Sequence, residues 1–223
     1  MRAPGAWPRW CGANDPTHAV HGAVTPRTDT RHAAADARAA APMGFDHAVP
    51  TLFQSLLGKD YFRMPAAVRA LHALRGGARY GGRASVERGS GPLARLCARV
   101  ARLPPTRVDA PLSVAFETAP RREAWRRDFD GFAMPSVLVP HAGLLQERMG
   151  PLRFGFALAV YDDALHWRVA RVRVFGVPLA ARWFEAVRCR EYERDGRYAF
   201  DIQASLPLVG RVVRYHGWLR RED

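Results

Sequence analysis

Residues 193–206 read ERDGRYAFDIQASL. The pair Asp195-Gly196 is typical of a two-residue β-turn, because both residues tolerate the positive φ angles that such a turn requires. After the turn, every second position is apolar, as in a strand with one buried face. These positions are Tyr198, Phe200, Ile202, Ala204 and Leu206. The stretch therefore predicts a β-hairpin whose second strand contributes one whole face to a core.

Four other segments carry a similar alternation of apolar and polar positions. They are residues 111–118, 125–139, 154–174 and 213–219. Dipeptides typical of turns, such as Asp130-Gly131, divide the second and third of these segments into hairpins. Within the third segment the apolar positions change phase between Val169 and Ala170, which predicts either a β-bulge or a strand that passes between two environments. The sequence thus predicts about eight or nine strands, most of them joined by short turns.

Helical patterns are confined to the part of the chain before Pro104-Pro105. Apolar residues at helical spacing between Pro50 and Leu74 predict two short helices, the first of which ends at Gly58. A third helix is predicted to follow residues 89–92, and its single apolar stripe is expected to face the core. The stripe consists of Leu93, Leu96, Cys97, Val100 and Leu103.

The order and number of these elements predict the fold class. Short helices on the N-terminal side, followed by many strands with hairpin connections, indicate an α+β fold with a dominant antiparallel sheet. A sheet of this size usually curls or closes on itself. We therefore predict a large curled antiparallel β sheet, a calycin-like barrel or half-barrel, with two or three short helices covering an opening or a face.

The first part of the chain has a different character. Residues 1–42 are rich in Ala, Pro, Thr, Arg and Asp and show no periodicity that would bury a face. They are predicted to be a disordered leader, or to lie upstream of a true start at Met43. Residues 43–223 are predicted to form a single β-rich domain.

The formal net charge is +13, which is typical of proteins that bind nucleic acids or anionic membranes. Lys59 is the only lysine among 34 basic residues, and the arginines are scattered along the chain without a long run. A GC-rich coding sequence favours Arg and Ala over Lys, so part of the charge is expected to reflect composition bias. A solvated arginine face is the preferred interpretation, and nucleic-acid binding is not expected.

Cysteine usage and hydropathy bear on the compartment. Cys11, Cys97 and Cys189 are far apart and odd in number, so neither a zinc site nor a disulfide framework is predicted. No secretory signal is visible, and uncharged stretches such as residues 154–161 are too short to span a bilayer as a helix. We expect a cytoplasmic protein, at most peripheral to the inner membrane face.

Six short motifs are spread between residues 125 and 219. They are WxRxF at 125–129, LxERxGPLxF at 145–154, GxPL at 176–179, DGRYxFD at 195–201, PLxG at 207–210 and YxGWL at 215–219. Together they resemble an uncharacterised bacterial family, domain of unknown function 4166, over roughly residues 49–219. Members of that family occur alone or C-terminal to NAD-binding reductase-like or epimerase-like domains. The resemblance implies the extent of the domain and no established activity.

Two pairs of residues are candidates for polar recognition. Glu147 and Arg148 could bind a polar head group or take part in acid–base chemistry, or could form a structural ion pair before the turn at 150–151. Trp125 and Arg127 share one strand face and could line a pocket or form a cation–π pair that stabilises the sheet.

A set of aromatic residues is predicted to point into the curled sheet. They are Phe154, Phe156, Tyr198 and Phe200. Tyr215 completes the candidate ligand-binding residues. Glu191 and Glu193 share a face with Cys189 and are expected to be solvated near a strand end. His72 is expected to be a packed or surface residue rather than a catalyst.

These observations favour a non-enzymatic module that binds an apolar ligand, such as a lipid, an isoprenoid or an acyl group. One alternative is an accessory domain for a separately encoded NAD-dependent reductase or epimerase. Another is a small-molecule enzyme that uses Glu147 and Arg148. No GxGxxG motif occurs, and neither a cofactor nor a metal is predicted.

Overall fold

The computed structural model describes residues 49–222. The predicted leader, residues 1–42, lies outside these described residues. Three α-helices are present in the described part: α1 (Leu52–Leu57), α2 (Ala66–His72) and α3 (Pro92–Val100). Two 3₁₀ helices span Gly58–Arg63 and Ala181–Phe184. Helix α1 begins with a capping box in which the Thr51 hydroxyl accepts from the Gln54 backbone N–H and the Gln54 side chain accepts from the Thr51 N–H.

The rest of the described chain is almost entirely β structure. The strands are β1 (Gly76–Arg88), β2 (Arg107–Ala119), β3 (Arg122–Phe129), β4 (Phe132–His141), β5 (Leu144–Met149), β6 (Leu152–Tyr161), β7 (Ala164–Val174), β8 (Val177–Leu179), β9 (Arg188–Arg194), β10 (Arg197–Leu206) and β11 (Gly210–Arg221). Every paired strand is antiparallel to its neighbour.

The sheet closes on itself. Each strand from β1 to β7 pairs with the next, β9 pairs with β7 and β10, and β11 returns to pair with β1. The short strand β8 pairs only with the end of β7, so ten strands form the wall. The predicted curled antiparallel sheet is thus confirmed, and it is a closed barrel rather than a half-barrel.

The turns explain why the hairpin pattern in the sequence was informative. At Asp195-Gly196 both central residues have positive φ, 53° and 69°, as a type I′ turn requires. The same holds at Asp130-Gly131, with φ of 52° and 84°. These turns match the right-handed twist of the strands that they join.

The predicted bulge is also present. Val169 is paired with Phe156, but Arg171 is paired with Gly155, so Ala170 is the extra residue in β7. Because Ala170 is an extra residue, Val172 lies on the same face of the strand as Val169, and both are buried.

The two ends of the barrel differ. The closed end is covered by α1, the first 3₁₀ helix and α2, which bury Leu52, Phe53, Tyr61 and Leu71. The open end is bounded by the α3 segment and by the connections after β3, β5, β7, β8 and β10. No helix within residues 49–222 is long and apolar enough to cross a membrane.

The apolar stripe of α3 faces the core only in part, since Leu103 is buried and Cys97 packs against the core. Ala94 and Ala98 are buried, whereas Leu93 and Leu96 are exposed. The small alanines allow α3 to pack closely against the barrel, since Ala94 Cβ lies next to the backbone of Gly89. Leu93 and Leu96 therefore lie along the rim of the open end.

Candidate functional site

The barrel encloses a cavity of about 410 Å³ that extends to the open end. Its wall consists mostly of the inward positions of the strands, together with residues of α3. The aromatic part of the wall comprises Phe116, Trp125, Phe129, Phe154, Phe156, Trp167, Phe184, Tyr198, Phe200 and Tyr215. The cavity is thus walled by apolar surface on nearly all sides.

Five polar side chains also line the cavity and are called here the polar cluster. They are Arg127, Glu147, Glu191, Tyr198 and Tyr215. They come from β3, β5, β9, β10 and β11, strands that are distant in sequence but meet around the same interior. Period-two alternation directs each of them inward together with its apolar neighbours.

Arg127 is held in place from three sides. Its Nη1 donates to Ser136 Oγ at 2.8 Å, and its Nη2 donates to Glu147 Oε1 at 3.2 Å. Its guanidinium carbon lies 4.7 Å from the ring centroid of Trp125. Burial lowers the pKa of Arg127, but the charge and hydrogen bond of Glu147, together with Tyr215 and Tyr198, more than offset this and the pKa is raised. Arg127 and Glu147 therefore form a buried ion pair.

Glu191 is paired with a histidine from the closed end. His72 Nε2 and Glu191 Oε2 are 2.6 Å apart, and their side chains are 0% and 2% exposed. The His72 ring is stacked on Phe53, with centroids 3.6 Å apart. Tyr198 and Glu191 both line the cavity. Burial, and then the charge of Glu191, raise the pKa of Tyr198 well above its usual value.

Glu123 is a third buried carboxyl, and it lies two residues before Trp125 on β3. Glu123 Oε2 accepts from Trp125 Nε1 at 2.8 Å. Burial raises the pKa of Glu123, while the charge of His72 and the Trp125 hydrogen bond partly oppose the effect. The raised pKa favours the protonated carboxyl.

One indole donor in the cavity wall has no acceptor. Trp167 is buried, and its Nε1 has no hydrogen-bond partner among residues 49–222. A buried N–H without a partner is unfavourable by roughly 1–3 kcal/mol. Trp167 is therefore a candidate donor for an acceptor on a bound molecule.

The structure brings most of the candidate ligand-binding residues together. Eight of them line the cavity: Trp125, Arg127, Glu147, Phe154, Phe156, Tyr198, Phe200 and Tyr215. Arg148 does not, because it follows Glu147 directly on β5 and its side chain is exposed on the outer surface. The carboxylate of Glu147 is paired with Arg127 instead. Glu147 and Arg148 therefore do not meet in one pocket.

Sequence reasoning also misjudged Glu191. It was expected to be solvated, but it is buried, whereas Glu193 is exposed and accepts from the Ala67 backbone N–H at 2.7 Å. The inward position of Glu191 was indicated by its phase with Cys189, which also lines the cavity. Its contact with His72 was not, since the two residues are 119 positions apart.

Among residues 49–222, no three side chains of the His, Cys, Asp and Glu types are grouped so that they could hold a metal ion. The polar cluster is better suited to hydrogen bonding than to coordination.

Comparison with known proteins gives a family and a distant structural likeness. No curated protein matches the sequence. The crystal structure of Rv2717c from M. tuberculosis has 15% sequence identity and a TM-score of 0.38, over 72% of this chain and 99% of that one. The model of the family described as domain of unknown function (DUF4166) matches residues 64–219, and the chain therefore belongs to that family.

Proposed function

We propose that this barrel is a binding module for one elongated apolar molecule, such as a lipid, an isoprenoid or an acyl compound, with an uncharged polar end. The observation that carries the proposal is the cavity of about 410 Å³ inside the closed wall. Protein interiors are normally close-packed. Small-molecule sites typically measure about 300–1,000 Å³ and are mostly apolar with a few convergent polar groups.

The apolar part of the ligand is proposed to lie against the aromatic wall. Phe154 and Phe156 from β6 face the cavity beside Phe200 from β10. Burial of apolar surface is favourable by about 25 cal/mol per Å² removed from water. An aliphatic chain threaded from the open end would meet such surface along its whole length.

The charge balance of the polar cluster favours an uncharged end. The positive charge of Arg127 is already paired with Glu147 at 3.2 Å, and Glu191 brings a second carboxyl to the cavity. A ligand carboxylate would therefore approach two carboxyl groups and find no unpaired cation, since Arg127 is paired with Glu147 and His72 with Glu191. Like charges at short range in a poorly solvated site are strongly unfavourable.

An alcohol, ketone or ester fits the same groups without that repulsion. Burial raises the pKa of both Tyr198 and Tyr215, so both hydroxyls keep their protons and can donate. The Trp167 N–H supplies a further donor without a partner among the described residues. An oxygen acceptor on the ligand would satisfy such a group.

The test is displacement of a hydrophobic fluorescent dye from the purified full chain. We expect dodecanol to displace the dye with a one-to-one stoichiometry and at a concentration at least tenfold lower than dodecanoic acid, a difference of about 1.4 kcal/mol. Equal potency of the two competitors would contradict the uncharged end. No displaceable dye at all would contradict the binding function.

A matched pair of variants shows whether the dye site is the cavity. Ala204 lines the cavity, whereas Gln203, its neighbour on β10, does not. Ala204→Trp should fill the open half of the cavity and abolish dye binding, and Gln203→Trp should leave dye binding unchanged. Thermal unfolding of both variants verifies that the fold is retained.

A further inference from the structure

The exposed apolar side chains are concentrated at one end of the barrel. Nine large hydrophobic residues are exposed among the described residues, and six of them belong to the open end. These six are Leu93 and Leu96 of α3, Phe175 of the β7–β8 turn, Val177 of β8, Trp183 of the second 3₁₀ helix, and Leu208 of the β10–β11 turn. We call them the apolar rim, and they belong to the elements that surround the mouth of the cavity.

The exposure within the rim is high. Phe175 is 75% exposed, Leu96 is 56% exposed and Leu208 is fully exposed. A group of exposed large apolar side chains marks an interaction site, because the exposure of apolar surface to water is unfavourable. At the closed end only Val49 and Phe62 are comparably exposed among the described residues.

The charges carried by the connections at the two ends differ as well. The connections of the open end carry Arg95, Arg99, Arg102 and Arg182, and their acidic residues are Asp130 and Glu185. Asp130 is already paired with Arg107 at 3.3 Å. All four of these arginines are exposed, and none forms an ion pair with another residue between 49 and 222.

The connections and flanking segments of the closed end are balanced. Their basic residues are Lys59, Arg63, Arg69, Arg75 and Arg121, and their acidic residues are Asp60, Asp162, Asp163, Asp195 and Glu222. The excess of positive charge on the connections is therefore found at the same end as the apolar rim.

We infer that the open end of the barrel docks on the surface of an anionic lipid bilayer. Aromatic and aliphatic tips such as Phe175 and Trp183 would enter the headgroup region, where amphipathic indole rings are favoured. The unpaired arginines around them would contact lipid phosphates, and each basic residue near an anionic surface contributes about 1 kcal/mol.

A bilayer fits this end better than a protein partner does. The rim surrounds the opening of an apolar cavity, so docking places the cavity mouth at the bilayer surface. An apolar ligand could then enter the barrel without crossing water. This last step depends on the proposed binding function, whereas docking itself depends only on the rim and the arginines.

Flotation of the full chain with lipid vesicles tests the inference. Two vesicle types are used, phosphatidylcholine alone and phosphatidylcholine mixed with phosphatidylglycerol. We expect binding to the mixed vesicles, and we expect added salt to weaken it. Absence of binding to the mixed vesicles overturns the inference, including the case in which the open end captures a protein instead.

Variants at the two ends provide the controls. The pair Phe175→Ser with Trp183→Ser, and separately the pair Arg95→Gln with Arg99→Gln, should each weaken binding to the mixed vesicles by about tenfold or more. The closed-end changes Phe62→Ser and Arg63→Gln should leave it unchanged, and an equal loss in those variants overturns the assignment of the surface.

The cavity variant separates docking from ligand binding. Ala204→Trp should still float with the mixed vesicles although it no longer binds dye. If the unchanged chain binds no dye but still floats with the mixed vesicles, the binding function is refuted and docking is not. The altered rim and arginine side chains are exposed, so unchanged thermal unfolding of these variants confirms that only the surface was affected.

Discussion

Arg127 is the residue on which the interior of the barrel depends most. It is a permanent positive charge that lies inside a closed sheet, and Glu147, Ser136 and Trp125 surround it. A buried charge is tolerated when it is paired and hydrogen-bonded, and removal of one partner leaves the other uncompensated. The two members of this pair should therefore be energetically coupled.

We expect Arg127→Met to lower the free energy of unfolding by about 3–5 kcal/mol, because it strands the Glu147 carboxylate in an apolar interior. The double variant Arg127→Met with Glu147→Leu should recover most of that loss. Urea unfolding of the two single variants and the double variant gives the coupling energy. Additive losses would show that the two side chains do not act as a pair.

Glu123 should make stability depend on pH. Its pKa is raised above the ordinary value of 4.5, chiefly by burial, so the folded chain retains a proton that the unfolded chain releases. Stability that Glu123 contributes below pH 4.5 is therefore lost as the pH rises toward its folded-state pKa. His72 and Glu191, which are buried on the same side of the barrel, oppose and reinforce this shift respectively.

The variant Glu123→Gln removes this titration and keeps an acceptor for Trp125. The difference in free energy of unfolding between Glu123→Gln and the unchanged chain should grow in favour of the variant above pH 4.5. Chemical denaturation across the acid range measures it, with Glu185→Gln on an exposed side chain as the control. A difference that shrinks with rising pH would contradict the assignment.

Individual inward positions could be predicted where period-two alternation applied. Trp125 and Arg127 are predicted on one face because they are two residues apart on a strand. The pairing of Glu147 with Arg148 is wrong, since adjacent residues on a strand point to opposite faces. The contact between His72 and Glu191 joins a helix to a strand across 119 positions. No local pattern encodes such a contact.

At the scale of elements, hairpins form most of the barrel, since most consecutive strands are joined by short turns. Asp195-Gly196 could be predicted because its residue types match the positive φ angles of the turn. Ala142-Gly143 adopts comparable angles, with φ of 50° and 74°, but alanine is not typical of that position. Strand β5 that follows it was consequently not predicted as a separate element, which is one reason the predicted strand number was too low.

Glycines within the strands allow close packing at one seam. Gly217 in β11 lies between Ala84 of β1 and Phe200 of β10, and a Cβ there would overlap the Arg83 carbonyl oxygen. We expect Gly217→Ala to lower the free energy of unfolding by about 1–3 kcal/mol through overpacking. Denaturant unfolding measures the change.

Gly77 offers the matched control on the neighbouring strand. A Cβ at Gly77 would have no atom within 4 Å, and its φ is not among the positive ones. Gly77→Ala should therefore change stability by less than about 1 kcal/mol in either direction. Equal effects of the two substitutions would show that close approach at the β1–β11 seam is not the cause.

At the scale of the whole molecule, closure of the barrel creates both the cavity and its two unlike ends. Closure could be anticipated from the number of strands and their short connections, since a large antiparallel sheet tends to curl. The volume of the cavity could not, because it depends on how the inward side chains of ten strands meet. The position of the α3 leucines on the rim also depended on tertiary packing through Ala94 and Ala98.

A ligand held inside the closed wall should stabilise the entire barrel. We expect dodecanol at about a hundred times its dissociation constant to raise the free energy of unfolding by about 2.7 kcal/mol. Thermal unfolding at several dodecanol concentrations measures the shift. The same concentrations should leave Ala204→Trp unaffected, and a shift of equal size in that variant would indicate binding elsewhere.

The crystal structure of the chain grown with dodecanol tests the central claim most directly. We expect one molecule inside the barrel, with its alkyl chain along Phe154, Phe156 and Phe200 and its hydroxyl beside Tyr198 and Tyr215. A barrel whose interior is filled by its own side chains, or dodecanol bound only on the outer surface, would contradict the account.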